Sequence, residues 1–116
     1  MSQISKHFSK SELTCKCGCG LLIVDVELIG ILEFIRARFM RPVHIISGNR
    51  CGKHNTAVGG SPNSQHLHGR AADIYVEGMD LDAITRAAEQ AKADGIGIYR
   101  DQGFVHVDVR GYPARW

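Results

Sequence analysis

The segment "FVHVDVR" (104–110) constrains the fold of this chain more than any other stretch. Its alternation puts Val105, Val107 and Val109 on one side of a strand, and Phe104, His106, Asp108 and Arg110 on the other. The valine side suits a core beneath packed helices. The opposite side lines up a histidine, a carboxylate and a guanidinium. That is odd for an ordinary solvent face and sensible for the floor of a site. The plain alternative is a solvated edge with an Asp108–Arg110 ion pair.

A second strand favours the site. In "SQHLHGRAADI" (64–74), alternation groups Ala71 and Asp73 with Tyr75, while Ala72, Ile74 and Val76 share the other face. A buried carboxylate is costly unless it is paired or bound to metal. Ala71 and Ala72 leave room around Asp73, and His66, placed before Gly69, can fold back over the start of the strand. His66, Asp73 and His106 make a two-imidazole, one-carboxylate set suited to zinc, with a fourth position open to water.

The rest of the chain fits one domain, residues 1–116, of α+β class. Ser9 and Glu12 form a capping box for a short helix that ends at "CKCGCG". Leu28, Ile31, Leu32, Ile35 and Phe39 recur at helical spacing from Asp25 to about Met40, before Pro42. "VHIIS" (43–47) reads as a strand. Residues 48–65, rich in Gly, Asn and Ser, read as a long functional loop. A strand over 69–76 precedes a helix capped by Asp80 and closed by Gly95. "IGIY" and "FVHVDVR" form a hairpin across "RDQG". The expected architecture is a small, mainly antiparallel sheet with two main helices on one face.

Composition excludes several classes. A net charge of +2, with the basic residues scattered, argues against a nucleic-acid groove. No stretch is long and apolar enough for a membrane span, and the polar start lacks a secretion signal. Synthesis in the cytoplasm is therefore expected. The four cysteines, Cys15, Cys17, Cys19 and Cys51, admit a structural zinc, disulfides, or burial as small apolar residues. Alternate spacing gathers thiolates less well than a CxxC knuckle, so burial ranks first, with one cysteine of the cluster approaching Cys51.

Three separated segments carry a family resemblance. "SQHLHGRAADI" resembles the S-x-H-x-x-G-x-A-x-D signature of the zinc D-alanyl-D-alanine carboxypeptidases and dipeptidases, whose fold is shared with the hedgehog signalling domain. "SGNRCGKHN" (47–55) resembles their S-G-x-R-x-x-x-x-N segment. "GIGIYRDQGFVHVDVR" (95–110) is similar to the closing segment of the murein-endopeptidase and phage-endolysin branch, and "FSKSELTCKCGCG" to the start of its short phage versions.

The resemblance implies one catalytic zinc held by His66, Asp73 and His106, and hydrolysis of a peptidoglycan peptide bond next to a D-amino acid. It further implies that Arg50 binds substrate or steadies the oxyanion and that Ser64 supports the site and substrate. A monomer acting on the cell wall is expected, without nucleic-acid partners or membrane insertion, whether released by phage lysis, carried by a virion or serving a bacterium's own wall turnover. One position departs from the pattern: Gly103 stands where several branches carry a glutamate base. Asp108, ~6.5–7 Å along the strand from His106, is the favoured substitute, as base or as partner of a ligand imidazole, and Asp101 in the hairpin turn is the other. The departure also leaves open an inactive zinc-containing module that binds peptidoglycan or serves in a phage structure.

Overall fold

The computed structural model describes residues 3–116. Four helices, α1 (Lys10–Leu13), α2 (Val26–Phe39), α3 (Gly52–Ala57) and α4 (Leu81–Gln90), accompany five strands. The strands are β1 (Val43–Ser47), β2 (Ala71–Val76), β3 (Gly95–Tyr99), β4 (Phe104–Asp108) and β5 (Ala114–Arg115). They form one sheet in the order β1-β2-β4-β3-β5, antiparallel except for the β3–β5 pair. Among the described residues no helix is long and apolar enough to cross a membrane.

Alternation in β2 and β4 decides which face is dry. Ala72, Ile74 and Val76 of β2, and Val105 and Val107 of β4, point into the core. There they meet Leu28, Leu32 and Ile35 of α2 and Ile84 and Ala88 of α4. Each such leucine or isoleucine stabilises the fold by about 1.5–3 kcal/mol when fully buried. Both long helices lie on this face, so the other is left for the polar side chains of the same strands.

One long helix ends as expected and the other does not. Helix α2 is capped by the Asp25 carboxylate, which accepts from Glu27 N, and stops at Met40 in a left-handed conformation (φ 54°). This is the expected end at about Met40, ahead of Pro42, which disfavours helical backbone at Arg41. Helix α4 begins at its Asp80 cap but ends at Gln90 rather than running to Gly95, and Lys92 takes the left-handed turn (φ 67°). Gly95 instead opens β3. The interval 48–65 is not structureless either, since it contains α3 and leads into a 3-10 turn at Gln65–His68. A six-residue helix shows no periodicity, and its cap is a cysteine sulfur.

His7, which has no apparent constellation in the sequence, is an anchor. Its Nδ1 lies 2.6 Å from Glu33 of α2, and the same carboxylate accepts from His7 N and Ser5 Oγ. Burial alone would raise the Glu33 pKa, but these hydrogen bonds outweigh it and hold the group below 4.5. A depressed carboxyl stabilises the fold fully above its unfolded pKa and loses that contribution as pH falls through the folded value. Wild type is therefore expected to lose more stability than Glu33→Gln in urea unfolding between about pH 6 and about pH 3. Equal losses would show that Glu33 does not fasten the N-terminal segment.

Candidate metal centre and its cleft

Three side chains meet on the polar face because of register and one tight turn. Asp73 of β2 pairs directly with His106 of β4, a cross-strand relation that brings their Cβ atoms within about 5 Å. His66 arrives from the 3-10 turn. Ser64 caps that turn by accepting from His66 N at 3.1 Å, and Gly69 closes it in the left-handed conformation (φ 68°). Asn49 Nδ2 and Arg50 N both donate to the His66 carbonyl, at 2.9 Å each, and fix the turn over the sheet.

All three residues are buried, and one donor atom from each lies within 4.8 Å of the others. His66 Nε2 and His106 Nδ1 each stand 3.1 Å from Asp73 Oδ1. Their remote nitrogens face acceptors: His66 Nδ1 is 2.7 Å from the Gly48 carbonyl, and His106 Nε2 is 2.7 Å from Asp108 Oδ2. A carbonyl can only accept, and an ionised carboxylate likewise, so those remote nitrogens carry the hydrogens. The neutral rings then turn two lone pairs toward a carboxylate oxygen. Such an arrangement repels itself unless a cation joins it, either a divalent metal or added protons. The donor set and its outer hydrogen bonds fit zinc.

The electrostatics agree. Burial would raise the Asp73 pKa, but the His106 and His66 rings override it and hold the carboxyl at about 2. Burial pushes His106 toward the neutral form, yet Asp108 and Asp73 together raise its pKa. Asp108 is fully buried and held well below the usual carboxylate range by His106 and Arg110, against the opposing effect of burial.

The centre opens into a cleft of about 570 Å³. Arg50 lies in its wall with every guanidinium nitrogen engaged: Nε to Ser47 Oγ, one terminal nitrogen to Asn55 Oδ1, the other to Asp73 Oδ2. Ser64 also lines the cleft. Asp108 does not, because it sits beneath His106 and accepts from Gly95 N, from Arg110 Nε and from the terminal nitrogen of Arg110. Asp101 lies on the exposed hairpin turn beside cleft-lining Gln102. Among the described residues, Asp73 is the one carboxylate that lines the cleft. His68 is exposed, and His44 stacks on Tyr75 away from the centre, with ring centroids 4.7 Å apart.

Sequence reasoning passes over Trp116 and Asn49. Trp116 packs 5.0 Å from the His106 ring and donates to the Tyr99 hydroxyl at 2.8 Å, and the Arg110 guanidinium lies over its indole. It reaches the site through β5, whose two residues are too few to show alternation. Gly95 and Gly97 have a physical reason that only the fold supplies. A Cβ on Gly95 would run into the Asp108 carboxylate, and one on Gly97 into the Trp116 ring.

Comparison with known proteins relates this chain to peptidases. The family model described as peptidase M15 matches residues 6–108. The chain is 38% identical over 80 residues to the peptidoglycan L,D-endopeptidase MepK of Escherichia coli, covering 65% of this chain and 43% of that protein. It is 31% identical over 72 residues to a probable peptidoglycan L,D-endopeptidase MepK of Haemophilus influenzae, covering 58% and 39%. A zinc D-Ala-D-Ala carboxypeptidase of Streptomyces albus G is 31% identical over 74 residues, or 64% and 25%. The chain thus spans less than half the length of these relatives.

Proposed function

This chain belongs to the peptidase M15 family, and on that premise we propose that it is a zinc-dependent peptidase hydrolysing peptide bonds in peptidoglycan stem peptides or cross-links. The observation that carries the reading is the convergence of His66 Nε2, Asp73 Oδ1 and His106 Nδ1, each ring being fixed from behind by an acceptor. His66, Asp73 and His106 would hold zinc, which when bound would supply Lewis acidity for activating water near neutral pH.

The residues around the centre divide the remaining work. Arg50 and Arg110 give the cleft two guanidinium groups, a match for the carboxylates of acidic stem peptides. Arg50, braced by Ser47 and Asn55, is positioned to stabilise negative charge developing on the scissile carbonyl. Ser64 holds the His66 turn and lines the cleft. Asp108 orients His106. Proton abstraction needs a group within reach of the cleft, directly or through one water. Asp101, exposed on the hairpin turn next to cleft-lining Gln102, is the carboxylate we assign to this role.

Digestion of purified peptidoglycan, read by mass spectrometry of the soluble products, tests the reading. The zinc-loaded protein is expected to release peptide fragments, to stop when a chelator removes the metal, and to resume when zinc is restored. The masses identify the bond. Asp101→Asn is expected to lower kcat by about 10²-fold while leaving zinc content unchanged, and full turnover would remove it as the base. A zinc-loaded protein that cosediments with peptidoglycan from several wall types and releases nothing from any would replace the enzyme with a binding module. Gly103 in the position of the glutamate is the observation favouring that second reading.

A further inference from the structure

The four cysteines do not behave as small buried residues. Cys15 is buried, Cys51 is half-buried, and Cys17 and Cys19 are exposed, all as free thiols. Cys15 Sγ lies 3.5 Å from Cys17 Sγ, which lies 3.7 Å from Cys51 Sγ. All four sulfurs fall within 4.8 Å of one another. Sulfurs at the corners of a tetrahedron around zinc, with bonds of ~2.3 Å, are separated by ~3.8 Å.

Alternate spacing is overcome by two glycines. In extended chain Cys15, Cys17 and Cys19 would be strung out ~6.5–7 Å apart. Gly18 (φ 90°) and Gly20 (φ 84°) take left-handed conformations that curl the segment, and neither would meet a neighbour if enlarged. Their conformation is therefore about the turn and not about crowding. Three backbone N–H groups donate to three of the sulfurs: Leu21 N to Cys19, Cys51 N to Cys15, and His54 N to Cys51, at 3.5, 3.4 and 3.3 Å. Such bonds favour thiolates over thiols.

We propose that Cys15, Cys17, Cys19 and Cys51 bind a second, structural zinc ion in a closed tetrathiolate site, separate from the His66–Asp73–His106 centre. Four protein ligands leave no position for water, so this ion does no hydrolysis. Its consequence is mechanical. It ties the turn at 15–19 to Cys51, the residue after Arg50, and thereby fixes the backbone from which Arg50 reaches Asp73.

The full chain, purified reduced and equilibrated with zinc, is expected to carry two zinc ions by elemental analysis. His106→Ala retains one, and so does Cys17→Ser combined with Cys19→Ser. Titration with an organomercurial releases one equivalent as the four thiols react, in wild type and in His106→Ala alike. Cobalt(II) bound to His106→Ala gives sulfur-to-cobalt charge-transfer absorption, which the double cysteine variant lacks. The proposal is overturned if His106→Ala carries no zinc, if the mercurial releases none, or if the thiols of the reduced preparation return as disulfides. The wild-type mercurial titration decides the matter even where the cysteine variant fails to fold. None of these readouts depends on peptidoglycan hydrolysis, so loss of the peptidase reading would leave this one standing.

Discussion

Gly69→Ala is expected to destabilise the fold by about 3 kcal/mol or more, combining left-handed backbone strain with overpacking. Gly69 sits at φ 68°, and a Cβ there would run into the carbonyl of Ile23 and approach Val24 N, backbone atoms that cannot rotate aside. The same strand of chain is hydrogen-bonded back to Gly69, through Asp25 N to Gly69 O at 2.9 Å. Moving it away would break that bond and the entry into α2. Against a total stability of ~5–15 kcal/mol this is a large fraction, and the melting temperature should fall by at least ~10 °C. Gly59→Ala is the control, having a similar φ of 75° but open space around it, and should cost only about 1 kcal/mol. Equal, small losses in both variants would show that the 23–25 segment does not lean on the turn that carries His66.

The residues legible in the sequence are those whose role follows from period two. Asp73, His106 and Asp108 fall on one face, and Ile74, Val105 and Val107 on the other, because a half-buried strand has no other way to arrange them. The long helices are legible too, α2 from its period of 3.6 and α4 from its Asp80 cap, while the capping role of Asp25 emerges only in the fold. Direction of approach is not written in this way. That Asp108 faces down onto Gly95 and Arg110, beneath His106 and not toward the cleft, depends on which strand lies beside β4. The glycine at 95, read as a helix stop, is there to make room for that carboxylate.

Short elements and curled loops account for the rest. Helix α3 and strand β5 are too brief to leave a periodic trace, so Trp116 and the cysteine cap of α3 stay invisible until the chain is folded. The cysteine cluster illustrates the more instructive failure. Spacing arguments assume a regular backbone, and two consecutive X-Gly steps with positive φ remove that assumption. A grouping of four thiols then arises from a pattern that an extended chain could not use.

Asp108→Ala is expected to weaken zinc binding at the histidine centre by about 10–100-fold, the usual effect of losing an outer partner of a ligand histidine. Two effects act together here. His106 Nε2–H loses the acceptor, 2.7 Å away, that holds Nδ1 on Asp73. Arg110, half-buried, loses the carboxylate engaged by its Nε and a terminal nitrogen, and is left against Tyr112 and Trp116. Breaking a buried pair by removing one partner costs ~3–5 kcal/mol, and Arg110 retains enough solvent contact to place the loss at about 3 kcal/mol or below. Asp108→Asn separates the two effects. Its amide oxygen can still accept from His106, so zinc affinity should recover in part, while the charge opposite Arg110 stays absent and the stability loss largely persists. Competition with a chelator measures the first quantity and urea unfolding the second. Wild-type zinc affinity in Asp108→Ala would mean that the imidazole is held in place by the sheet and the Trp116 ring alone, and that the buried carboxylate serves only Arg110 and Gly95.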